Sequence, residues 1–285
     1  AMTAIGFLVL AGTLLSELLE PVGLPHLSGY LLAGIVGGPH VLHLVPHDVV
    51  KQLLPVNTLA LALIALSGGV ELKIETLRSV AKSLAFASMI QTGLVLVGMG
   101  GMFLLLARYI PFAQNLELRP LLGVALLWGA LCVTRSPSAC MGILSQTRAK
   151  GPLATFSLGF IMLSDVVVVM MIATAIMLAR PLITPGASIS SDDFNVLGHE
   201  ILGSFSMGTT LGLVLAMYLR LVGGQLILVL LALGFGVTAA LKYIHLDPLL
   251  TFLTAGFVVQ NLSNQGPKLL HAVEQMGSVV FVLFF

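Results

Sequence analysis

Residues 24–36 read Leu-Pro-His-Leu-Ser-Gly-Tyr-Leu-Leu-Ala-Gly-Ile-Val, and residues 246–258 read Leu-Asp-Pro-Leu-Leu-Thr-Phe-Leu-Thr-Ala-Gly-Phe-Val. Six positions are identical and Tyr30 is matched by Phe252, at a constant offset of 222 residues. Both segments are rich in Leu, Ala and Gly, so chance is the alternative explanation. A true repeat indicates that two parts of one fold carry equivalent elements.

The composition around this repeat is that of a membrane protein. Hydrophobic residues make up 58% of the 285 residues and charged residues only 9%, and the mean hydropathy is +1.07. A soluble domain carries about 25% charged residues, so a soluble enzyme, a nucleic-acid-binding domain and a disordered protein are excluded. The net charge of +1 leaves no field that attracts an anionic polymer. We expect an all-α, polytopic membrane protein that is not an enzyme and binds no nucleic acid.

Ten apolar stretches are long enough to cross a bilayer at about 17 to 25 residues each. They are 2–20, 22–40, 52–70, 83–107, 118–140, 151–179, 195–221, 224–240, 248–263 and a tenth that starts near 271. The repeat matches the second stretch with the ninth. These are seven spans apart, an odd number, so the two copies run in opposite directions, as in the inverted repeats of secondary transporters.

The repeat also predicts a larger fold. If 1–179 is the first copy, the offset carries the second copy to about residue 401, beyond the 285 residues given. We therefore expect about ten of thirteen spans here, and a membrane domain that is incomplete at its C-terminal end.

The positive charges in the loops suggest an orientation. If the loops alternate sides, one side carries seven Lys and Arg and the other carries five. The positive-inside rule then predicts that the N-terminus lies outside. The seven are Lys73, Arg78, Lys82, Arg148, Lys150, Arg220 and Lys268.

Asp165 is the only acidic residue in the middle of a predicted span. A carboxylate at that depth costs on the order of 3 kcal/mol and is a functional hypothesis by default. Burial favours the neutral carboxyl, whereas a bound cation favours the carboxylate. This opposition suits a group that exchanges a proton for a cation. The alternative is a structural ion pair between two helices.

The fifth span contains a predicted helix break at Pro137, with hydroxyls at Thr134, Ser136 and Ser138 around it. Broken helices at membrane depth are tolerated where they are buried in protein or line a cavity. Their freed carbonyls and hydroxyls coordinate cations in transporters. An ordinary proline kink is the alternative.

Arg135 lies beside this break and stays charged at any relevant pH. A pair with Asp165 would hold the carboxylate ionised and compete with a cation. Alternatively, the guanidinium reaches toward a helix end or pairs with a group outside these residues. The sequence leaves these possibilities open.

Several motifs, taken in order, resemble the Kef-like monovalent cation:proton antiporters of the sodium/proton exchanger superfamily. They are the second-span signature 23–39, the segment Leu66-Ser-Gly-Gly-Val-Glu-Leu72, Thr134-Arg-Ser-Pro-Ser-Ala139, Gly151-Pro152, Ser164-Asp165 and Phe257-Val-Val-Gln-Asn261 followed by 280–285. Each motif alone is modest, whereas their order and spacing are specific.

The resemblance implies a thirteen-span inverted-repeat antiporter fold with a broken fifth helix, a homodimer and elevator-type alternating access. It implies a dimerisation or scaffold part at 1–82 and 224–285, the first half of an ion-binding core at 83–179 and a linker helix at 195–221. The essential acid of the family corresponds to Asp165. Its neutral neighbour Ser164 is similar to the electroneutral pattern of one proton per cation.

We therefore predict a transporter in the plasma (inner) membrane that exchanges K+ or Na+ for protons. Asp165 binds proton and cation alternately, with no cofactor and no metal beyond the transported ion. The oxygen shell is predicted from Ser164, Thr134, Ser136 and Ser138. Two other classes remain: a non-transporting sensor or regulatory scaffold in which Arg135 locks Asp165, and an anion-coupled carrier in which Arg135 binds the anion.

Overall fold

The computed structural model describes residues 2–136, 139–140, 143–144, 147, 149, 151–184, 191–263 and 265–284. Some side chains inside the helices are not described, and the side chain of Asp165 is one of them. Every regular element in these residues is helical. The helices are α1 (Met2–Leu19), α2 (His26–Gly37), α3 (His47–Gln52), α4 (Leu54–Glu71), α5 (Ile74–Leu106), α6 (Leu118–Cys132), α7 (Pro152–Ile183), α8 (Ser191–Leu221), α9 (Leu226–Tyr243), α10 (Pro248–Ser263) and α11 (Gly266–Phe284).

Five stretches of these helices are long and apolar enough to cross a bilayer, judged by length and composition. They are Thr3–Val22, Leu54–Glu71, Ala81–Tyr109, Gly198–Leu221 and Leu226–Tyr243. Shorter apolar stretches occur in α2, α6, α7 and α10. The all-α membrane fold is confirmed, and the number of crossings stays a prediction.

All ten predicted spans correspond to helices, but several boundaries were wrong. The apolar stretch Ala81–Tyr109 agrees with the predicted span 83–107 to within two residues, and the helix α5 that contains it begins earlier, at Ile74. Helix α11 begins at Gly266 and not near 271. Helices α7 and α8 both extend into the connection between the predicted spans 151–179 and 195–221, since α7 continues to Ile183 and α8 starts at Ser191.

Helix α9 is interrupted by one π-helical turn, Leu233–Val237, which the sequence did not predict. Helix α10 begins with a capped N-terminus. The carboxylate of Asp247 accepts a hydrogen bond from the Leu250 N–H at 2.6 Å, and the Asp247 N–H donates to Ser204 Oγ at 2.9 Å. The cap satisfies a backbone donor that the first helical turn leaves free.

The chain forms two compact units, and neither is one continuous segment. Unit 1 comprises Ala1–Ile74, Pro137–Leu158 and Ser204–Phe285. Unit 2 comprises Glu75–Ser136 and Gly159–Gly203.

Unit 1 is organised around the crossing of α4 and α10. A β-carbon at Gly69 would overlap the carbonyl oxygen of Leu253, and one at Gly256 would overlap that of Leu66. Only glycine permits this approach of two backbones, as in other closely packed membrane helices. The amide of Asn261, near the end of α10, also holds the connection from α4 to α5. Its Nδ2 donates to the Leu72 carbonyl and its Oδ1 accepts from the Ile74 N–H, both at 2.8 Å.

Unit 2 contains α5, α6 and most of α7. Helices α5 and α6 approach closely at glycines, since a β-carbon at Gly100 would lie 3.0 Å from the Ala125 carbonyl oxygen. Near one end of this pair, Phe103 is buried and its ring centroid lies 5.7 Å from that of Trp128. These contacts fix α6, and with it the end of the helix that leads to the predicted break.

Candidate ion-binding site

Helix α6 ends at Cys132, before Pro137, and Thr134–Ser136 are not helical. The Leu131 carbonyl accepts hydrogen bonds from the Thr134 N–H at 3.1 Å and from Thr134 Oγ1 at 2.6 Å. Helical backbone is found again at Ala139. Helix α6 thus ends before Pro137, as a broken fifth helix requires, whereas Pro137 and Ser138 lie outside the described residues and the break at Pro137 stays a prediction.

The C-terminal end of α6 is suited to a cation. Helix dipoles and unsatisfied carbonyls give such an end partial negative charge. Two of the predicted ligands, Thr134 and Ser136, follow it directly and are exposed. Because the Thr134 hydrogen is donated to the Leu131 carbonyl, the remaining lone pairs of its hydroxyl oxygen are available to a positive ion.

Ser164 and Asp165 are adjacent residues in α7. Ser164 is completely buried, with an exposed fraction of 0%, and its hydroxyl donates to the Ile161 carbonyl at 2.7 Å. Its hydrogen is thus used within the helix, and only its oxygen lone pairs are left for a ligand. The side chain of Asp165 lies outside the described part of the structure, so its role stays a prediction.

Arg135 contacts the helix that carries Asp165. Its guanidinium carbon lies 4.5 Å from the centroid of the Phe160 ring, and its Nη1 and Nη2 atoms are buried. This is the geometry of a cation–π contact. Phe160 precedes Asp165 by five residues, about 7.5 Å of helix rise. The guanidinium of Arg135 therefore lies against α7, roughly one and a half turns before Asp165.

Three polar residues of α5 were missed from the sequence. Ser88, Gln91 and Thr92 lie within the predicted span 83–107, and one side-chain oxygen of each is buried. Their spacing of three and four residues places them on one helix face. That spacing was the available signal, but uncharged polar residues in an apolar run indicate a site less strongly than an acid does.

No group of three or more His, Cys, Asp or Glu side chains that could hold a metal ion occurs among the residues described. The described oxygen atoms of the predicted site are therefore those of Thr134, Ser136 and Ser164, all of them neutral ligands.

The described residues form many apolar helices, and α6 ends before the non-helical segment 134–136. Apolar helices of which one is interrupted are typical of polytopic membrane proteins of the transporter type. The model of the family described as "Sodium/hydrogen exchanger, transmembrane" matches residues 5–285. The chain belongs to this family of cation:proton exchangers, which are transporters and not enzymes.

Solved structures with a similar fold include the sodium proton antiporter MjNhaP1 from Methanocaldococcus jannaschii at pH 8. The match has a TM-score of 0.67 and 17% identity, and covers 99% of this chain and 68% of that chain. An electron-microscopy map of the same antiporter gives a TM-score of 0.65 at 18% identity, covering 100% and 70%. At this identity the likeness shows the fold. A search of curated proteins finds no match.

Proposed function

We propose that this protein exchanges Na+ for protons and that Asp165 binds the two ions alternately. The proposal rests on the observation that Asp165 is the only acidic residue among the 32 residues of α7. A lone carboxylate in such a helix is costly unless it binds something. A proton and a cation compete for it, so binding of one releases the other.

The remaining ligands of the proposed site come from the broken helix and from Ser164. Thr134 and Ser136 follow the last turn of α6, and Ser138 with the carbonyls near Pro137 would complete an oxygen shell. The negative end of the α6 dipole adds to the attraction for a cation.

Sodium is favoured over potassium by the family and by the similar solved structure. The family is described as a sodium/hydrogen exchanger, and MjNhaP1 is described as a sodium proton antiporter. Potassium remains the second ion of the proposal and is tested beside sodium.

We further propose elevator-type alternating access with the predicted division of the chain. The two units support it, because unit 1 holds 1–74 and 204–285 and unit 2 holds most of 83–179. Helix α8 has residues in both units, which suits the predicted linker at 195–221. A homodimer in the plasma membrane with the N-terminus outside completes the proposal.

The test is exchange in proteoliposomes that contain the full-length protein and a pH-sensitive dye. An outward proton gradient is dissipated by added Na+ or K+, and Asp165→Asn is compared with Asp48→Asn in the short helix α3. We expect a response to Na+ that is lost in Asp165→Asn and kept in Asp48→Asn. Intact exchange in a folded Asp165→Asn protein would contradict the proposal.

A second function is favoured by the position of Arg135. Its buried guanidinium contacts Phe160, roughly one and a half turns before Asp165 on the same helix. In a non-transporting sensor, the arginine would extend along α7 and pair with this carboxylate. If the protein is such a sensor, the wild-type protein shows no exchange, and the Arg135→Ser variant has a lower Tm or gains a response to cations. If Arg135 instead binds an anion, a panel of organic anions would reveal it by thermal stabilisation.

A further inference from the structure

Three side-chain oxygens of α5 are buried without a hydrogen-bond partner in the described structure. They are Ser88 Oγ, Gln91 Oε1 and Thr92 Oγ1. Ser88 is only 4% exposed. Buried polar atoms nearly always have a partner, because leaving one unpaired costs free energy. These three oxygens are therefore candidates for binding a ligand.

Among the other described helical hydroxyls, Thr238 Oγ1 of α9 is likewise buried without a partner, but most behave differently. Many donate to a carbonyl three or four residues earlier in the same helix, which is the usual solution inside apolar helices. Examples are Thr13, Ser16, Thr58, Thr174, Thr209, Thr210, Thr251, Thr254 and Ser263. The hydroxyls of Ser88 and Thr92 make no such bond, so their oxygens are not committed to the backbone of α5.

The three residues share a face of α5 with Leu84, at intervals of three and four residues. Leu84 is completely buried, and a β-carbon added at Gly159 of α7 would lie 3.7 Å from its Cδ1. Leu84, one turn before Ser88 on this face, is therefore next to α7 within unit 2.

The two helices run in the same direction. Helix α6 is antiparallel to α7, because Arg135 contacts Phe160 whereas Gly123 lies against Leu182 and Ile183. It is also antiparallel to α5, because Gly129 lies against Leu96 and Gly100 lies against Ala125. Two helices that are both antiparallel to a third are parallel to each other.

The common direction brings the polar face of α5 to the level of Asp165. From Leu84 to Gln91 the rise is about 10 Å, and from Gly159 to Asp165 it is about 9 Å. Since Leu84 and Gly159 are neighbours, the backbone position of Asp165 is level with the segment that carries Ser88, Gln91 and Thr92.

We infer that Ser88, Gln91 and Thr92 bind the transported monovalent cation together with α7, as specificity-determining ligands supplied by α5. The inference rests on the proposed exchange at Asp165 and extends its ligand set. Two hydroxyl oxygens and one amide oxygen are neutral, hard ligands that can replace water around Na+ or K+. Because these groups are neutral, they add no second carboxylate that would bind the proton in place of Asp165.

The test measures cation dependence in Ser88→Ala and Thr92→Val, with Thr174→Val as the matched control whose hydroxyl is bonded to the Met170 carbonyl. In proteoliposomes we expect the KM for Na+ to rise about three- to tenfold in each α5 variant. The rate at saturating Na+ should stay within about twofold. Thr174→Val should match wild type in both quantities.

A second measurement keeps the test independent of transport. In detergent, the Na+ concentration that half-maximally raises the Tm should increase about three- to tenfold in the same variants. If the wild-type protein binds Na+ but does not exchange Na+ for protons, the proposed function is wrong. The Na+ dependence of the Tm in the variants still decides whether the α5 residues bind the cation. Folded variants with unchanged KM and unchanged Na+ response of the Tm, or with only a lower Tm, would overturn the inference.

Discussion

Gly69 and Gly256 lie against each other's helix where α4 and α10 cross in unit 1. The contact is reciprocal, because a β-carbon on either glycine would overlap a carbonyl oxygen of the other helix, at Leu253 and Leu66 respectively. The two backbones can therefore approach at this point only as long as both side chains are hydrogen atoms.

Gly69→Ala or Gly256→Ala should force α4 and α10 apart. Overpacking of this kind costs about 1–3 kcal/mol, and we expect a lower Tm in detergent for each variant. Gly98→Ala is the control, since open space surrounds that position of α5 and alanine is favoured by about 1 kcal/mol over glycine within a helix. Equal Tm values for all three variants would contradict the close crossing.

Asn261→Ala should release the connection between α4 and α5. The amide of Asn261 holds the Leu72 carbonyl and the Ile74 N–H, so its loss removes two hydrogen bonds that contribute about 0.5–1.5 kcal/mol each. Thermal unfolding measures the loss. Gln275→Ala is the comparison, because that exposed amide bonds only with His271 of its own helix and its removal should leave the Tm unchanged.

Asp247 predicts a pH-dependent contribution to stability. Burial raises the pKa of this carboxyl above its ordinary value of 3.8, while hydrogen bonds from the Leu250 and Leu249 backbone act in the opposite direction. The native state therefore holds the proton more tightly than the unfolded state. The resulting stabilisation is complete below the unfolded pKa and is lost as the pH rises through the raised native pKa.

Asp247→Asn should remove this acid-side gain in unfolding free energy, because asparagine does not titrate. Asparagine still caps a helix, whereas Asp247→Ala should cost about 1 kcal/mol at every pH. The measurement is chemical unfolding in detergent between pH 3.5 and neutrality. A stability profile of Asp247→Asn that parallels wild type across this range would exclude the assignment.

Phe160→Leu should weaken the hold on Arg135 while keeping an apolar side chain in place. The cation–π contact is worth about 0.5–2 kcal/mol, and a lower Tm should result. In a double-mutant cycle with Arg135→Gln, the two losses should be less than additive. Phe86→Leu, at an exposed position of α5, is expected to have little effect. Strict additivity would show that Arg135 and Phe160 act independently.

The features that could be predicted from the sequence were local or strongly patterned. The end of α6 before Pro137 agrees with the sequence, because a proline has no N–H for the carbonyl four residues earlier, which is that of Val133, and its ring clashes with that carbonyl in a helix. The helices follow from long apolar runs. Helix α5 also extends before its predicted span 83–107, through Glu75, Arg78 and Lys82, because a hydropathy pattern marks the apolar part of a helix and not its charged first turns.

The features that could not be predicted depend on tertiary neighbours. Asn261 is separated from its partners at Leu72 and Ile74 by almost the whole chain, and nothing local marks the pairing. Similarly, Ser88 and Thr92 differ from most other helical hydroxyls only because their oxygens are buried and unpaired. Burial and hydrogen bonding are properties of the fold, and an isolated sequence does not display them.

The discontinuous make-up of unit 1 has a consequence for biosynthesis. The surface of α4 around Gly69 is completed by α10, yet the ribosome must add more than half of the chain between these helices. At about 5–20 residues per second, that delay is roughly ten to forty seconds. Unit 2 has all its residues once Gly203 is made. The nascent α4 therefore enters the membrane without the helix that completes its surface, so lipid or an insertion chaperone must shield it until α10 leaves the translocon.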